Sequence, residues 1–435
     1  MKKQTCIIIG AGSRGQRYAG IMAVSPDKFQ VVGIAEPIKS RNKSLKDMHN
    51  IPEDKCFESW EQILSLPKMA DFAVIATQDG MHFEPAMKAI ECGYHLLLEK
   101  PISPSPKQCK LLIEAAEKKG VKIVVCHVLR YTRLFKTMKE LIVSGAIGEL
   151  MSIEALEPVG IRHQSHSFVR GNWHNSIKSS PMILAKSCHD MDLMQWLVGK
   201  ACKKVQSFGS LTYFTKDNKP EGAPARCIDG CPHADNCIFD TKRLYQGEDA
   251  EGGSWFKTAS TKLQTPTEED VEKVLKTSEY GKCVFDCDND VVDHQVVNLL
   301  FDGGVTATFT MTAFTPDGRG REMRLFGTKG IIEIFGKNDY IYLTRFDSGT
   351  MRNLKREEID VSLAANKNGV SIVSGHGGGD AGIIDALYDE LNDNYQGLSI
   401  ATGRESYVNH LIAFAAEKSR IENNVIDIVE FEKSL

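Results

Sequence analysis

Residues 6–15 read Cys6-Ile7-Ile8-Ile9-Gly10-Ala11-Gly12-Ser13-Arg14-Gly15, after which the apolar pattern turns helical through Tyr18, Ile21 and Met22. A β-rich run, a glycine turn and a helix start in that order predict the phosphate-binding entry of a dinucleotide fold. Gly10 and Gly12 let the turn close and let a pyrophosphate approach the backbone, and Gly15 lets helix and strand pack closely. The free amides of the helix start then hold the phosphates, so Gly10, Gly12, Ser13, Arg14 and Gly15 are the candidate cradle. A second β-rich run, Phe29 to Ala35, ends in Glu36. A carboxylate there suits the ribose hydroxyls of NAD and disfavours the 2′-phosphate of NADP, although Lys39 and Arg41 stand nearby.

The chain has 435 residues, 53 Lys and Arg against 57 Asp and Glu, and a net charge of -4. That length accommodates two or three domains. The mild acidity, with no long run of one sign, argues against nucleic acid or an anionic membrane as partner. No apolar stretch approaches the ~20 residues of a spanning helix, and the N-terminus reads as a core strand rather than a signal peptide, which implies a cytoplasmic protein. Seven of the 12 cysteines are scattered singly through apolar or helical stretches and read as core thiols.

Up to residue 128, β-rich runs at 5–9, 29–35, 71–76, 94–98 and 122–126 alternate with helical patterns. This predicts a doubly wound parallel sheet. Ligands bind beyond the carboxyl ends of such strands, which singles out Thr77, the Glu99-Lys100-Pro101 segment and His127. From 129 to 435 the pattern changes to an α+β domain with a large, open, mainly antiparallel sheet. Its strands are expected at 151–157, 204–214, 291–301, 304–313, 322–326, 330–334 and 339–344, and its helices near 379–394 and 403–422.

The segment Asp71 to Thr77, then His82 and a helix to Gly93, then Tyr94 to Pro101, resembles the glucose–fructose oxidoreductase and inositol dehydrogenase family (Gfo/Idh/MocA). So do His127-Val-Leu-Arg130-Tyr131 and the helix ending in Ser144-Gly145 and Gly148-Glu149. The likeness is close over the first 150 residues and looser beyond. It implies a Rossmann domain followed by an open-sheet domain, a carbohydrate substrate, and a homo-oligomer, dimer or tetramer. Lys100 is the implied acid/base group, and a cation at that sheet edge could indeed move the proton of a substrate hydroxyl. Glu99 would orient Lys100 or the nicotinamide carboxamide, and His82 and His127 would line the cofactor groove.

A second chemical stretch runs Phe168-Val-Arg170-Gly-Asn-Trp173-His174, then Ala185-Lys186-Ser187-Cys188-His189-Asp190. The family has an Asp four residues before the histidine that His189 matches, whereas this chain has Ala185, with Lys186 next to it. On a continuous helix 185 and 189 share a face and 186 lies about 100° away, so Lys186 need not replace the missing acid. His189 is the better candidate for proton transfer or for gripping a sugar hydroxyl, with Lys186 beside it. Arg162, His163, His166, Arg170, Trp173 and His174 supply donors and an aromatic plate suited to a polyhydroxylated or acidic sugar, or else form a basic surface loop. Asp293 and His294 are further candidates.

Between 215 and 290 lies a polar insertion holding Cys227-x3-Cys231-x5-Cys237 and Cys283-x3-Cys287. A structural zinc on Cys227, Cys231, Cys237 and either Cys283 or Cys287 is one reading, and free thiols or disulfides are the other. The leading functional expectation is an NAD-dependent carbohydrate oxidoreductase. The first alternative is a redox-neutral glycosidase that oxidises, eliminates and re-reduces with retained NAD, and the second is a non-catalytic NAD-binding regulator.

Overall fold

The computed structural model describes residues 1–337, 339–362 and 376–435. The first sheet holds β1 (Gln4–Ile9), β2 (Phe29–Ala35), β3 (Cys56–Phe57), β4 (Phe72–Ile75), β5 (His95–Leu98) and β6 (Ile123–Val125), all parallel in the order 3-2-1-4-5-6. Its central strands are buried and rich in Ile, Val and Leu, as both faces of a helix-covered parallel sheet require. The strand order reverses between β1 and β4, so the loops after them open the cleft in which such sheets bind ligands.

Two glycines make that loop possible. Gly10 has a φ of +90°, and a Cβ there would stand 2.6 Å from the carbonyl oxygen of Ala76; a Cβ on Gly15 would stand 2.0 Å from the carbonyl oxygen of Gly10. Neither position accepts a side chain without backbone movement.

The second sheet holds β7 (Leu150–Pro158), β8 (Cys202–Ser210), β9 (His294–Phe301), β10 (Thr306–Thr312), β11 (Glu322–Gly327), β12 (Gly330–Ile334), β13 (Tyr340–Arg345), β14 (Arg356–Asp360) and β15 (Ile426–Asp427). Their order is 14-13-12-11-7-10-9-8-15, antiparallel except where β10 runs parallel to β7. The expected architecture is therefore present, with β3, β14 and β15 added. The strand expected over 204–214 stops at Ser210 because buried Asp293 accepts the backbone N–H groups of Thr212 (2.9 Å) and Tyr213 (2.7 Å), turning the chain away. Asp293 is thus a turn-forming acid rather than a site residue.

The C-terminal helices Gly379–Leu391 and Gly403–Glu422 return to the first sheet. Val125 donates its N–H to the carbonyl of Ala401 at 2.9 Å, and Asp380 accepts Arg14 at 2.8 Å. At the centre of this junction Arg130, 2% exposed, grips Asp192 through Nε (2.9 Å) and Nη2 (2.8 Å), and donates Nη1 to Ile400 O and Glu405, both at 3.1 Å. Removing one partner of a buried pair strands the other charge. Arg130→Met is expected to lower stability by about 3–5 kcal/mol, and Arg130→Met with Asp192→Leu by clearly less than the sum of the single changes. Chemical denaturation of the two single variants and the double variant checks this.

Candidate functional site

Lys100 sits at the carboxyl end of β5, partly buried, and its Nζ donates to the carbonyl oxygen of Ala185 at 2.7 Å. The helix expected to carry both 185 and 189 is broken: Met182–Ala185 ends, Lys186 and Ser187 intervene, and a new helix begins at Cys188. The break frees the carbonyl of Ala185 for Lys100 and turns Lys186 towards Glu157 at the end of β7, 3.2 Å away. Arg321 joins Glu157 (2.9 Å) to Asp190 (2.6 Å), making a four-charge chain beside the site. Burial, with Glu157 adding to it, pushes Asp190 upward, against the pull of Arg321. Glu157, Arg321 and Asp190 were not singled out from the sequence, because nothing local signals that two strand ends and a helix start so far apart in the chain converge.

His189 is buried, its Nδ1 has no hydrogen-bond partner, and burial followed by the Lys100 charge holds its pKa well below the usual histidine value. It is a neutral imidazole at physiological pH. His127 meets it edge to face at 5.8 Å, and neither ring nitrogen of His127 is hydrogen-bonded. His410 lies 5.6 Å beyond, accepting the N–H of Ile102 at 3.0 Å, and His376 lies 6.3 Å from His189 on the other side. Four histidines thus follow one another ring to ring at the site.

Several expected ligand-binding residues serve the framework instead. Glu99 accepts Arg14 Nε (2.7 Å), the Tyr18 hydroxyl (2.6 Å) and the backbone N–H of Lys100 (3.1 Å). Burial raises the pKa of Glu99, but Arg14 and Tyr18 outweigh it and hold the carboxylate below its ordinary range. Arg14, bound to both Glu99 and Asp380, is committed to acids. His82 is buried with Nδ1 against Pro101 O (2.6 Å) and Nε2 against Thr77 O (3.2 Å), so it ties two loops together. Thr77 itself donates its hydroxyl to Met81 O at 3.0 Å. Trp173 donates to Asp79 at 3.1 Å, joining the two domains, and His174 pairs with Gly171 O and Asp288. Arg162 ion-pairs with Glu251 of the insertion. His163 and His166 lie on a helical turn that packs against Trp255, each 5.1 Å from its ring, and His294 is half-exposed against Asp293.

Arg170 is fully buried, donating Nε to Lys282 O (2.8 Å) and Nη2 to Phe239 O (2.9 Å) and to the Cys227 sulfur (3.6 Å). It therefore pins the insertion and cannot reach a substrate. Cys227, Cys231, Cys237 and Cys283 line one small cavity with it, but among the described residues no group of three or more His, Cys, Asp or Glu side chains is arranged to hold a metal ion, and every cysteine is free. Folding thus gathers Cys227, Cys231, Cys237 and Cys283 around one cavity beside the Arg170 guanidinium, and the four-thiolate zinc centre, with Cys283 or Cys287 as fourth ligand, stays a proposal. Burial pushes the Cys287 thiol up to about 12 and raises Cys237 and Cys283 as well. The insertion builds two small cores, one around Phe214, Phe239 and Phe285 and one around Tyr245, Phe256 and Tyr280. Its aromatic residues are spaced too irregularly to show as periodicity.

The residues of the glycine loop fit a dinucleotide. No side chain caps the helix Ser13–Ala23, so its first amides face the cleft. Buried Glu36 accepts Ala11 N–H (2.6 Å) and Ile38 N–H (2.9 Å), which puts its carboxylate beside the loop at the end of β2. Family models for the oxidoreductase NAD-binding Rossmann fold and for the oxidoreductase C-terminal alpha/beta domain match residues 4–127 and 139–428. The chain belongs to the Gfo/Idh/MocA family. Among its relatives, the putative oxidoreductase YteT of Bacillus subtilis is 23% identical over 380 residues, which is 85% of this chain and 81% of that protein. The 2,7-anhydro-N-acetylneuraminate hydratase of Escherichia coli is 24% identical over 57% of this chain and 61% of its own. In fold, levoglucosan dehydrogenase in complex with NADH and levoglucosan matches with a TM-score of 0.67 at 17% identity, covering 98% of this chain and 100% of that one. Among the described residues no helix is long and apolar enough to cross a membrane.

The buried histidines make stability depend on pH. His166 and His410 are held down to about 3, by burial first and then by neighbouring His163 and His127 respectively. Below the unfolded value of 6.5 the unfolded chain takes up protons that the native state refuses, so these groups destabilise progressively from pH 6.5 down to about 3. A His410→Gln variant is expected to lose about 1.4 kcal/mol per pH unit of that slope, measured by denaturant unfolding between pH 6 and 4.

Proposed function

We propose that this protein is a nicotinamide-dependent oxidoreductase acting on a hydroxyl or keto group of a sugar or sugar derivative, with NAD favoured over NADP. When bound, the dinucleotide supplies the hydride acceptor. Lys100 takes the proton of the reacting hydroxyl as the carbon gives up hydride, and the Ala185 carbonyl holds its amine in place meanwhile. Neutral His189, with a free ring nitrogen, grips a substrate hydroxyl; the Lys186–Glu157 pair borders the same space and offers a donor to the substrate. The observation that carries this reading is the convergence of Lys100 and His189 at the carboxyl edge of a sheet whose glycine loop fits a dinucleotide.

Ala185 in the place of the family's aspartate, together with a relative named as a hydratase, favours a second reading: a redox-neutral reaction in which oxidation acidifies the neighbouring C–H, elimination follows and the cofactor is restored. A non-catalytic NAD-binding regulator is the remaining alternative, and the intact Glu99-Lys100-Pro101 segment weighs against it. Exposed Phe208, Val296 and Leu300 on one face of the second sheet support assembly into a dimer or tetramer.

Reduction of added NAD by a free sugar from a panel, followed at the reduced-nicotinamide band, is the outcome expected of the dehydrogenase. Cleavage of a glycoside or anhydro-sugar without net reduction would instead establish the redox-neutral reaction. In either case Lys100→Ala should keep NADH affinity and lose activity by about 10²-fold or more. Retention of more than about a tenth of the wild-type rate removes Lys100 from its role.

A further inference from the structure

The cysteine-bearing insertion is anchored on the substrate side of the cleft yet reaches the cofactor side midway along its length. Its root is Arg170, and its helix Gly253–Thr261 lays Trp255 against His163 and His166. Lys262 closes that helix at a φ of +61°, and the chain then crosses to the first domain. There the carbonyl oxygen of Lys262 accepts Arg41 Nη2 at 3.1 Å, while the Gln264 amide donates to Gln16 and, at 3.3 Å, to Ser44. Gln16 and Ser44 lie on the helices that follow β1 and β2, on either side of the glycine loop.

The tether fixes Arg41 over that loop. The space above Gly12 is open, and the one group that a Cβ on Gly12 would meet within 4 Å is Arg41 Nη1, at 3.9 Å. Arg14, the charged residue of the glycine motif, is already bound to Glu99 and Asp380. Arg41 therefore brings a guanidinium to the place where a dinucleotide's phosphates would lie, and a guanidinium is suited to a phosphate by charge and by geometry.

We propose that residues 253–264 form a clasp over the cofactor cleft, in which Arg41, positioned by the Lys262 carbonyl, binds a phosphate of the dinucleotide and Gln264 latches the clasp to the first domain. This rests on the nicotinamide-dependent reading above and adds that the insertion controls cofactor retention. Because the helix of the clasp also carries Trp255 to the substrate side, closing over the cofactor and shaping the substrate wall are one event. Arg41 is a binding residue and Gln264 a positioning residue.

NADH and NADPH binding, measured by nicotinamide fluorescence on the full-length protein with release rates from a chase experiment, tests the proposal. Arg41→Ala should weaken binding about tenfold or more, the loss expected of a charge-assisted contact. Gln264→Ala should speed NADH release several-fold with a smaller effect on association. An equal loss for both nucleotides with Arg41→Ala identifies the pyrophosphate as its partner, whereas a loss confined to NADPH identifies the ribose 2′-phosphate. Both side chains are at the surface, and unchanged melting temperatures would show that the variants fold. Binding and release within about twofold of wild type in both variants would overturn the clasp while leaving the functional reading intact. Failure of the wild-type protein to bind either nucleotide would overturn that reading, and the clasp with it.

Discussion

The buried pair of Arg130 and Asp192 ties together three segments distant in the chain: the exit of β6, the helix that begins at Cys188 beside the site, and the turn at Ile400 with the long helix that follows it. Asn409 also donates to Asp192, and the Arg130 guanidinium stacks 5.4 Å from the Trp196 ring. The first sheet and the second domain owe their relation to this point, because a guanidinium removed from water tolerates only the geometry that satisfies its donors. His189 begins the first turn of the helix that carries Asp192. The clamp that joins the domains therefore also sets the distance between His189 and Lys100.

Around that clamp the site is built with its charges held apart from its neutral groups. His127 and His189 are stripped of solvent and kept unprotonated, while the cationic Lys186 and Arg321 are each matched to an acid, Glu157 or Asp190. The carbohydrate oxidoreductase proposed above would gain from such an arrangement. Neutral imidazoles hydrogen-bond hydroxyls without strong ion pairing, and matched cations do not migrate into the cleft.

The insertion shows how a segment poor in apparent pattern can be ordered. Its buried arginine, thiols and aromatic residues make a rigid arm, and the arm touches both domains, through Arg162 and Arg170 on one side and Arg41 on the other. Five cysteines in a short polar stretch suggested metal because thiolates and metals commonly coincide there. In the folded chain the guanidinium of Arg170 stands beside them, donating to the Cys227 sulfur, and burial raises the pKa of Cys237, Cys283 and Cys287.

The parallel character of the first sheet, the glycine loop and the place of Lys100 were legible from residues 1–128, because β-runs, turn glycines and helix starts are local patterns that survive whatever the rest of the chain does. The open sheet was legible too, apart from the short strand β15 and the edge strand β14, and the first sheet lacked only the short strand β3. The partners of the polar side chains were not. Whether Arg14 met a phosphate or Glu99, whether Arg170 met a sugar or Phe239 O, and whether 185 and 189 shared a helix all depended on groups brought near by folding. A hydrogen bond or ion pair is set by distance and by exclusion of water, and a linear sequence specifies neither until its segments have packed.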